Sequence, residues 1–587
     1  MAQTVITIME ASAAKYAALP ALKTKSHGQW QTTTWAEYRD ETRRVARALI
    51  ALGLGPKEGC AIIGDNCHQW FISNVAAIYC GAIPAGIYTT SSPEQCQYIA
   101  DDCNATVAVV ENVAQLEKFK AIASQLPKLK AIVLMEGGDT AEHIHAWSDL
   151  PKLAEKTSEQ ALDERIKTQQ PDDVCTLIYT SGTTGNPKGV MLSHSNLTWM
   201  AQNCATTYNC TFDERIISYL PLSHIAEQVF SLYIPMYCGG CTSFAESLNK
   251  LGENLQEVRP TSFVAVPRVW EKIQTKILLA GSDSSTLRKK VVAWARKKGL
   301  VGGYARQQHK PMPLFYGLAD KLVFSKARQQ LGFDRCRNLL SSAAPISLDT
   351  LEFFLSLGLP ICEIYGMSEC SGPATVGLAN NYHTDKLGPC LPGTEMRIAD
   401  DGEILIRGPH IFAGYMNNES ATRESIDSEQ WLHTGDVGEL DSRGFLQVTG
   451  RKKDIIITSG GENVAPQLLE GKIKAITAVS QAVVIGDQRK YLTALITLDE
   501  ETLNNELRNC GSKAVGIEEA AQCKKLRNYI QHQVNEINET LAQAQTIKKF
   551  TLLTQDFSIE GGELTPTLKI KRNIVNQKYQ TEIQAMY

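Results

Sequence analysis

Residues 179–194 read YTSGTTGNPKGVMLSH and decide the fold class of this 587-residue chain. Apolar and β-branched residues over 174–180 predict a strand before the loop, and residues 190–192 predict a second strand after it. Hydroxyl side chains, glycines and Lys188 fill the space between. Glycines let backbone N–H groups approach phosphate oxygens closely, and hydroxyls and a lysine add donors and positive charge. The stretch therefore predicts a phosphate-binding loop.

The loop differs from a Walker A loop in two ways. The pattern GxxxxGK[ST] is absent, and the loop leads into a strand instead of opening a helix. A plain hairpin of small residues is the alternative interpretation. Because a plain hairpin does not require a run of polar residues and glycines followed by lysine, phosphate binding is the favoured hypothesis.

Alternating helix and strand patterns surround this loop over the first 350 residues. Residues 35–53 predict an amphipathic helix, residues 59–64 a buried strand and residues 69–81 a second helix. This alternation predicts a parallel α/β layer. Short strands separated by turn signals over 392–450 predict a small β subdomain. A shorter α/β pattern follows, with the domain boundary predicted near Lys453.

Composition and charge exclude several classes of protein. The chain has 59 basic and 63 acidic residues, a net charge of -4, and so lacks the electrostatic footprint of a nucleic-acid binder. No apolar run reaches the ~18 residues that span a bilayer. The N-terminus has no basic region before its short apolar stretch and carries Glu10 after it, which argues against a secretory signal. A cytoplasmic location is expected.

The sixteen cysteines show no repeating spacing and are expected to stay reduced. One pair, Cys238 and Cys241, has the spacing of a redox or zinc motif. No second pair completes such a site, so the predicted role of Gly239-Gly240 is a turn between two strands.

Further short segments accompany the loop in a defined order along the chain. They are Pro221-Leu222-Ser223-His224, Ser341-Ser342-Ala343-Ala344-Pro345, Tyr365-Gly366-Met367-Ser368-Glu369, Thr434-Gly435-Asp436, Gly450-Arg451-Lys452-Lys453-Asp454 and Leu568-Lys569-Ile570. With the loop, they resemble the signatures of the adenylate-forming (ANL) superfamily, which contains acyl-CoA synthetases, firefly luciferase and nonribosomal adenylation domains. Within it, GPHIFAGY at 408–415 and FSIEGGEL at 557–564 are most similar to long-chain acyl-CoA synthetases of the bubblegum type.

The resemblance implies an α/β fold and an activity. Residues 1–452 would form an N-terminal AMP-binding domain of two α/β subdomains plus a small β subdomain. Residues 453–587 would form a smaller, mobile α+β C-terminal domain that carries the catalytic lysine. The implied enzyme is an ATP-dependent long-chain fatty acid–CoA ligase. It makes an acyl-AMP with release of pyrophosphate and then passes the acyl group to CoA, with ATP and CoA as cosubstrates and Mg²⁺ as cofactor.

The resemblance also assigns residues to roles. The catalytic set is Lys569, Glu369 and His224, the Mg²⁺ ligands are Glu369 and Thr180, and the hinge is Lys453. The ATP-phosphate-binding residues are Thr180, Ser181, Gly182, Thr183, Thr184, Gly185, Lys188 and Ser368. The adenosine-binding residues are Ala343, Ala344, Pro345, Tyr365, Gly366, Asp436 and Arg451, and the CoA-binding residues are Ser459, Gly460 and Gly461.

Several positions depart from the family pattern or keep two interpretations. Ser368 stands where the family usually has threonine, and Ser342 stands where it usually has glycine, which is expected to narrow the adenine slot. His224 has a role near the carboxylate or the thiol, or else caps a helix in the pocket wall. Arg268 is a candidate phosphate or CoA contact.

Other functions would fit the same motifs. An adenylation domain that delivers to a carrier-protein thiol, or a luciferase-like oxygenase, would share the fold. A catalytically silent protein that binds fatty acyl groups or nucleotides belongs to another class. The ordered presence of Lys569, Glu369 and Asp436 argues against silence.

Residues 286–300 are not explained by the reaction. Leu287, Val291, Trp294 and Ala295 share one helical face, while six lysines and arginines occupy much of the remainder, and Gly299 is predicted to end the helix. Basic helices with an interfacial tryptophan are typical of contact with anionic membranes. The alternative is a solvated basic face whose apolar stripe packs on the domain.

Overall fold

A computed structural model describes residues 3–138, 140–180, 186–282, 284–565 and 569–587. Its elements form a large N-terminal α/β part and a smaller C-terminal part, which meet at the 3₁₀ turn Lys452–Asp454. The fold class expected from the sequence is confirmed.

The largest sheet has eight strands and carries the predicted phosphate loop near one edge. Its core strands are parallel, and the strand Lys188–Ser193 runs antiparallel to its neighbours. Alternate residues face opposite sides: Ile62 packs in the core that contains the helix His68–Tyr79, and Ile63 packs with Phe119 on the other side. In spatial order the strands are Gly414–Tyr415, Lys188–Ser193, Val174–Thr180, Ile83–Ile87, Gly59–Ile63, Ala105–Val110, Ala131–Leu134 and Ile144–Ala146.

Two further sheets and a short hairpin complete the α/β region. A four-stranded sheet has the order Arg215–Ser218, Cys241–Phe244, Pro20–Ser26, Gln29–Thr34. A parallel three-stranded sheet has the order Ser262–Ala265, Asn338–Ser341, Cys362–Glu363. The hairpin pairs Gly366–Met367 with Gly372–Pro373 and leads directly from the last of these strands.

The β subdomain is a four-stranded antiparallel sheet. Its strands are Glu395–Ile398, Glu403–Arg407, Leu432–Leu440 and Leu446–Arg451. The C-terminal part contains a hairpin, Ile456–Ile457 with Asn463–Val464, and a three-stranded sheet with apolar cores on both faces. That sheet has the order Val479–Ile485, Leu492–Leu498, Ile547–Leu552.

Helices cover the sheets on both sides, and many begin at a capping side chain; Thr34, for example, caps Trp35–Ala51 by accepting from the Glu37 N–H. The α-helices of the large part are Val5–Lys15, Trp35–Ala51, His68–Tyr79, Pro93–Asp102, Val113–Ile122, Leu150–Ala154, Glu159–Thr168, His194–Thr207, Ile225–Glu227, Ile234–Cys238, Leu251–Val258, Pro267–Ser282, Thr286–Gln307, Tyr316–Ala319, Ser325–Leu331, Leu348–Leu355 and Glu419–Ser425, with π-helical turns at Gln228–Tyr233 and Asp320–Phe324. Those of the smaller part are Pro466–Lys474, Glu500–Asn509, Gly516–Gln522, Lys524–Glu539, Arg572–Lys578 and Gln580–Ala585.

The helix that begins at Thr286 does not end at Gly299, contrary to the prediction, but continues to Gln307. Its glycines serve close packing instead. A Cβ on Gly299 would lie 2.0 Å from the Ser356 carbonyl oxygen, and one on Gly303 would lie 2.4 Å from the Leu355 side chain. Tertiary packing, rather than termination, therefore explains these glycines.

The Cys238–Cys241 segment also differs from its prediction, because it joins a helix to a strand rather than two strands. Gly239 ends the helix Ile234–Cys238 with a φ of 80°, and the strand Cys241–Phe244 follows. A Cβ on Gly239 would lie 2.2 Å from the Tyr16 ring, so this turn requires glycine.

Among the described residues, no helix has both the length and the apolar character needed to cross a bilayer.

Candidate active site

The predicted phosphate loop starts where the strand Val174–Thr180 ends. Thr180 pairs with Lys188 across the hairpin, and its hydroxyl oxygen lies 3.5 Å from the Lys188 carbonyl oxygen. The Lys188 ammonium lies 4.7 Å from the centre of the Tyr415 ring, a cation–π contact. The predicted residues Ser181, Gly182, Thr183, Thr184 and Gly185 lie outside the described part of the chain.

Glu369 is buried in a 3₁₀ turn beside Ser368, directly after the hairpin strand Gly366–Met367. The Tyr415 hydroxyl donates a 2.8 Å hydrogen bond to Glu369 Oε1. Burial and the Glu369 charge raise the pKa of Tyr415, so its hydroxyl stays protonated. Tyr415 thus contacts both Lys188 and Glu369, two residues predicted to serve the phosphates.

Gly366 permits the tight hairpin that presents Glu369. A Cβ on Gly366 would lie 2.1 Å from the carbonyl oxygen of Gly372, its neighbour across the hairpin. Such a contact cannot be relieved without moving backbone, so any side chain at this position would displace the turn.

The predicted adenosine residues come from three sheets. The Tyr365 hydroxyl donates a 2.7 Å hydrogen bond to Asp436 Oδ2, and Arg451 Nε lies 3.1 Å from Asp436 Oδ1. Asp436 and Arg451 face each other on neighbouring strands of the β subdomain. The buried Asp436 carboxylate is therefore held by one phenol and one guanidinium.

The segment Ala343-Ala344-Pro345 is an exposed turn after the strand Asn338–Ser341. Its left-handed residue is Ala343, with a φ of 74°, rather than Ser342, where the family has glycine. The Ser342 hydroxyl donates a 3.3 Å hydrogen bond to the Ile364 carbonyl, beside Tyr365. The serine side chain is thus bonded to the neighbouring strand end.

Glu363 lies beside the predicted adenine segment, and the sequence did not predict a role for it. It ends the strand Cys362–Glu363, two residues before Tyr365, and burial with nearby Asp385 raises its pKa to about 8. A carboxyl group that is largely protonated at neutral pH therefore adjoins the predicted adenine segment. A polar residue at the end of a buried parallel strand was the available signal.

Lys569 reaches this site from the C-terminal part of the chain. Backbone and side-chain hydrogen bonds between Thr565 and Lys569 hold its loop: the Thr565 N–H donates to the Lys569 carbonyl, and the Lys569 N–H to the Thr565 hydroxyl. Leu568 lies outside the described residues.

Charged residues of the large domain change the pKa of Lys569. Burial and Arg451 lower the pKa of Lys569, and Asp436 and Glu369 act in the opposite direction. Lys569 is exposed to solvent on one side and lies close enough to these three residues of the large part to interact with their charges. The structure brings together Glu369, Asp436, Arg451 and Lys569 from segments that are far apart in sequence.

His224 caps a helix, which is one of the two interpretations offered by the sequence, and its role near the carboxylate or the thiol stays a prediction. Its Nδ1 accepts a 3.2 Å hydrogen bond from the Ala226 N–H and caps the short helix Ile225–Glu227. Burial and the Lys569 charge lower the pKa of His224 to about 4, so the ring is neutral at pH 7. The imidazole is both a helix cap and a neighbour of Lys569.

Lys453 lies between two anchored residues. Lys452 Nζ forms ion pairs with Asp401 (2.6 Å) and Glu403 (2.9 Å) of the β subdomain. Asp454, on the other side, accepts a 2.9 Å hydrogen bond from Gln467 of the C-terminal part. Lys453 itself is exposed, so the connection between the two anchors is a single residue long.

Ser459, Gly460 and Gly461 form the exposed turn of a hairpin in the C-terminal part. The Ser459 N–H donates to the Arg489 carbonyl, and Gly461 has a φ of 82°. These residues open to solvent on the same domain that carries Lys569.

Arg268 is engaged by the C-terminal part, which the sequence did not predict. It forms an ion pair with the buried Asp499, and Lys272, one turn further along the same helix, lies 3.0 Å from Glu501. Both partners lie at the start of the helix Glu500–Asn509. These contacts hold the two parts of the chain in the arrangement that brings Lys569 to the cleft.

Comparisons with known proteins identify the family of the chain. A family model described as AMP-binding enzyme matches residues 9–416, and one described as AMP-binding enzyme C-terminal domain matches residues 453–587. Long-chain-fatty-acid–CoA ligase ACSBG2 of Xenopus laevis is 42% identical, and the alignment covers 100% of this chain and 84% of that protein. The human protein of the same name is 40% identical, with 100% and 93% covered.

Solved structures share the fold at lower identity. The adenylation domain of a carboxylate reductase from Mycobacterium chelonae has a TM-score of 0.75 at 21% identity, covering 100% of this chain and 91% of that one. ATP-bound MatB from Rhodopseudomonas palustris has a TM-score of 0.73 at 21% identity, covering 99% of each chain. With the matched family model over most of its length, the chain belongs to the AMP-binding enzyme family of the adenylate-forming superfamily.

Proposed function

We propose that this protein is an ATP-dependent, AMP-forming long-chain fatty acid–CoA ligase. The observation that carries the proposal is the position of Lys569, which enters from the C-terminal domain among Glu369, Asp436 and Arg451. Full-length similarity to long-chain-fatty-acid–CoA ligases supports the choice of acid and of CoA as the acceptor.

The chemistry explains why such a cation is needed. A thiol cannot displace oxide from a carboxylate at useful speed, so the acid is first joined to AMP, which is a good leaving group. The acid oxygen attacks the α-phosphate of ATP, and pyrophosphate departs. Negative charge gathers on the phosphate oxygens in that transition state, and a positioned ammonium such as that of Lys569 stabilises it.

The loop that begins at Thr180 would hold the β- and γ-phosphates, together with Ser181, Gly182, Thr183, Thr184, Gly185, Lys188 and Ser368. Lys188 supplies positive charge, and its stacking on Tyr415 orients it. Tyr415 contacts both Lys188, at the end of the loop, and Glu369, in its 3₁₀ turn. This supports a phosphate site shared by the two segments.

Mg²⁺ would be held by Glu369 and Thr180 with the phosphates of ATP. Within the described ranges no group of three or more His, Cys, Asp or Glu residues gathers to form a protein-only metal cage. This donor set fits Mg²⁺, which in nucleotide sites takes one or two protein oxygens and completes its shell with phosphates and water. When bound, the ion would neutralise charge on the departing pyrophosphate.

Adenosine would lie between the segment Ala343-Ala344-Pro345 and the Tyr365-Gly366 strand end. Asp436 would accept hydrogen bonds from the ribose hydroxyls. Its two oxygens already accept from Tyr365 and Arg451, but each carboxylate oxygen has two lone pairs and so retains capacity. Arg451 and Tyr365 thus fix the orientation of Asp436.

The second half-reaction requires another arrangement of the domains. Ser459, Gly460 and Gly461, the proposed CoA contacts, lie on the same domain as Lys569, and rotation about Lys453 would exchange one for the other. The anchoring of Lys452 and Asp454 to different domains supports this pivot. The neutral His224 would face the acyl carboxylate and, after rotation, the incoming thiol.

Replacement of Tyr415 by phenylalanine is expected to raise the Mg²⁺ concentration needed for half-maximal adenylation by ~10-fold, because partners that orient a metal ligand are typically worth 10- to 100-fold in affinity. The phenyl ring keeps the contact with Lys188 and loses only the hydrogen bond to Glu369. Mg²⁺ titrations of pyrophosphate exchange would measure the shift. Tyr415→Leu, which removes both contacts, should be worse; equal Mg²⁺ dependence in wild type and Tyr415→Phe would contradict the assignment.

Replacement of Arg268 by glutamine should slow adenylation by ~5-fold, because it removes an interdomain ion pair worth about 1 kcal/mol for an arginine that is 44% exposed. Thioester formation from supplied acyl-AMP should be unchanged or faster. Single-turnover measurements of both steps at low and high salt test this, with Arg39→Gln, which breaks an exposed ion pair in the large domain, as control. A role of Arg268 in CoA binding would instead slow the second step.

The proposed activity is tested by measuring acyl-CoA formation over fatty acids from short to very long, with ATP, Mg²⁺ and CoA. A long-chain ligase forms thioesters with AMP and pyrophosphate as products. Formation of acyl-AMP without transfer to CoA, but with transfer to a carrier-protein thiol, would favour the carrier-dependent alternative. Absence of pyrophosphate exchange with every acid would point to a silent binding protein.

We also propose a cytoplasmic location with reversible contact to anionic membranes. Exposed lysines, arginines and leucines at residues 286–326 support the membrane contact.

A further inference from the structure

One region of the surface concentrates the exposed apolar side chains of the molecule. In the part of the chain that the structure describes, seventeen large hydrophobic residues are exposed, and nine of them fall within 45 residues. The nine are Leu278, Leu279, Leu287, Val301, Met312, Leu314, Phe315, Leu318 and Leu322. Soluble proteins seldom gather exposed apolar groups in this way without a partner.

The same region concentrates positive charge. Residues 276–281 and 286–326 contain eleven lysines and arginines and one acidic residue, Asp320, which is paired with Arg328. The remainder of the chain has 48 basic and 62 acidic residues and a net charge of -14. A near-neutral protein thus concentrates positive charge in these two segments, whose net charge is +10.

The helix Thr286–Gln307 and the residues that follow it pack side by side. Ala295 of the helix Thr286–Gln307 packs with Ala319 and Phe324 in a small core. A Cβ on Gly302 would lie 2.4 Å from the Tyr316 ring and 3.1 Å from Met312, so residues 312–316 lie against the middle of that helix. The helix Thr286–Gln307 and residues 312–324 therefore pack together, and we call the exposed cations and apolar side chains of residues 286–326 the basic apolar surface.

Not every basic or apolar residue of the helix belongs to this surface. Trp294 packs on the small core, and Arg296 donates a 2.9 Å hydrogen bond to Ser356 and stacks on Phe353. Trp294 and Ala295 of the predicted apolar stripe are therefore packed in the protein, whereas Leu287, at the start of the helix, is 74% exposed. The exposed cations of the surface are Arg288, Lys289, Lys290, Lys297, Arg306, Lys310, Lys321 and Lys326.

We infer that the basic apolar surface binds the headgroup region of an anionic membrane. Charge complementarity selects the partner, because lipid phosphates and carboxylates meet the exposed cations. The leucines, Met312 and Phe315 would enter the acyl boundary, as apolar residues of interfacial helices do, and a nucleic acid would leave them without a partner. Binding at this surface does not depend on the proposed ligase activity.

The inference is tested by flotation of the purified full-length protein with vesicles, without substrates. Wild type should bind vesicles of phosphatidylcholine with phosphatidylserine at low salt, bind pure phosphatidylcholine weakly, and dissociate as salt rises. Replacing Lys289, Lys290, Lys297 and Lys310 by glutamine should lower partitioning by roughly 600-fold, since each of the four basic residues near an anionic surface contributes ~5-fold.

A matched control separates local from general charge. Replacing the exposed lysines Lys57, Lys128, Lys152 and Lys156 by glutamine makes the same change in net charge outside this surface and should leave partitioning nearly unchanged. A second variant, Leu287→Gln with Leu314→Gln, changes two side chains that are each 74% exposed and should lower partitioning without changing charge. Thermal unfolding would verify that all variants fold.

Three results would overturn the inference. The wild type could remain unbound to phosphatidylserine vesicles at low salt. The control variant could lose binding as much as the surface variant. The wild type could form a dimer in sedimentation that Leu287→Gln with Leu314→Gln abolishes, which would assign the surface to a second copy of this chain.

Discussion

Replacement of Lys569 by alanine is expected to slow acyl-AMP formation by ~10² to 10³-fold, the usual effect of removing one preorganised donor to a developing charge. The side chain lies where the fields of Glu369, Asp436 and Arg451 meet, a position suited to the α-phosphate. Thioester formation from supplied acyl-AMP should be nearly unaffected, because in the proposed mechanism the domain that carries Lys569 rotates away for that step. Single-turnover assays of each half-reaction measure the two effects separately.

Lys571→Ala is the matched control, since it removes a lysine two residues further along the same segment. Its adenylation rate should remain close to that of wild type. A loss of similar size in both half-reactions of Lys569→Ala would show that the lysine supports the fold or both steps, and would contradict its assignment to adenylation.

Replacement of Lys453 by proline should preserve adenylation and impair thioester formation. Proline fixes φ near -65°, a value compatible with the 3₁₀ turn Lys452–Asp454 in the present arrangement. An arrangement that requires another φ would then carry strain on the order of 1 to 3 kcal/mol, equivalent to ~5- to 150-fold in rate. Rapid mixing of preformed acyl-AMP complex with CoA would detect the block.

Lys453→Ala, which leaves φ free, should retain both steps. If Lys453→Pro forms both acyl-AMP and acyl-CoA at wild-type rates, the pivot lies elsewhere. If it loses adenylation as well, the proline has disturbed the present arrangement, which a shift in thermal unfolding would reveal.

The sequence predicted those parts of the molecule that local patterns encode. The buried strand at residues 59–64 and the helix at 69–81 are found as Gly59–Ile63 and His68–Tyr79, because apolar periodicity reports burial directly. The side chains of Glu369, Asp436 and Lys569 lie near one another, as the ordered motifs indicated, although their roles stay predictions.

What the sequence did not predict depends on contacts between distant residues. Arg268 and Asp499 are 231 positions apart, and no local pattern links them. The contact between Tyr415 and Glu369 arises because the strand Gly414–Tyr415 joins the large sheet beside the phosphate loop. Gly299 was misread because glycine is both a common helix terminator and a means of close packing, and only the neighbouring Ser356 backbone decides between these.

The short connection at Lys453 limits the movements that are open to the C-terminal domain. Lys452 is paired with the β subdomain and Asp454 is hydrogen-bonded to the C-terminal domain, so only a few backbone torsions lie between the two domains. A long flexible linker would allow Lys569 to sample a large volume and would lower its effective concentration at the candidate active site. If the C-terminal domain rotates as proposed, a connection this short would confine it to an arc. The rate of exchange would then depend on breaking surface contacts such as Lys272 with Glu501, rather than on a diffusive search.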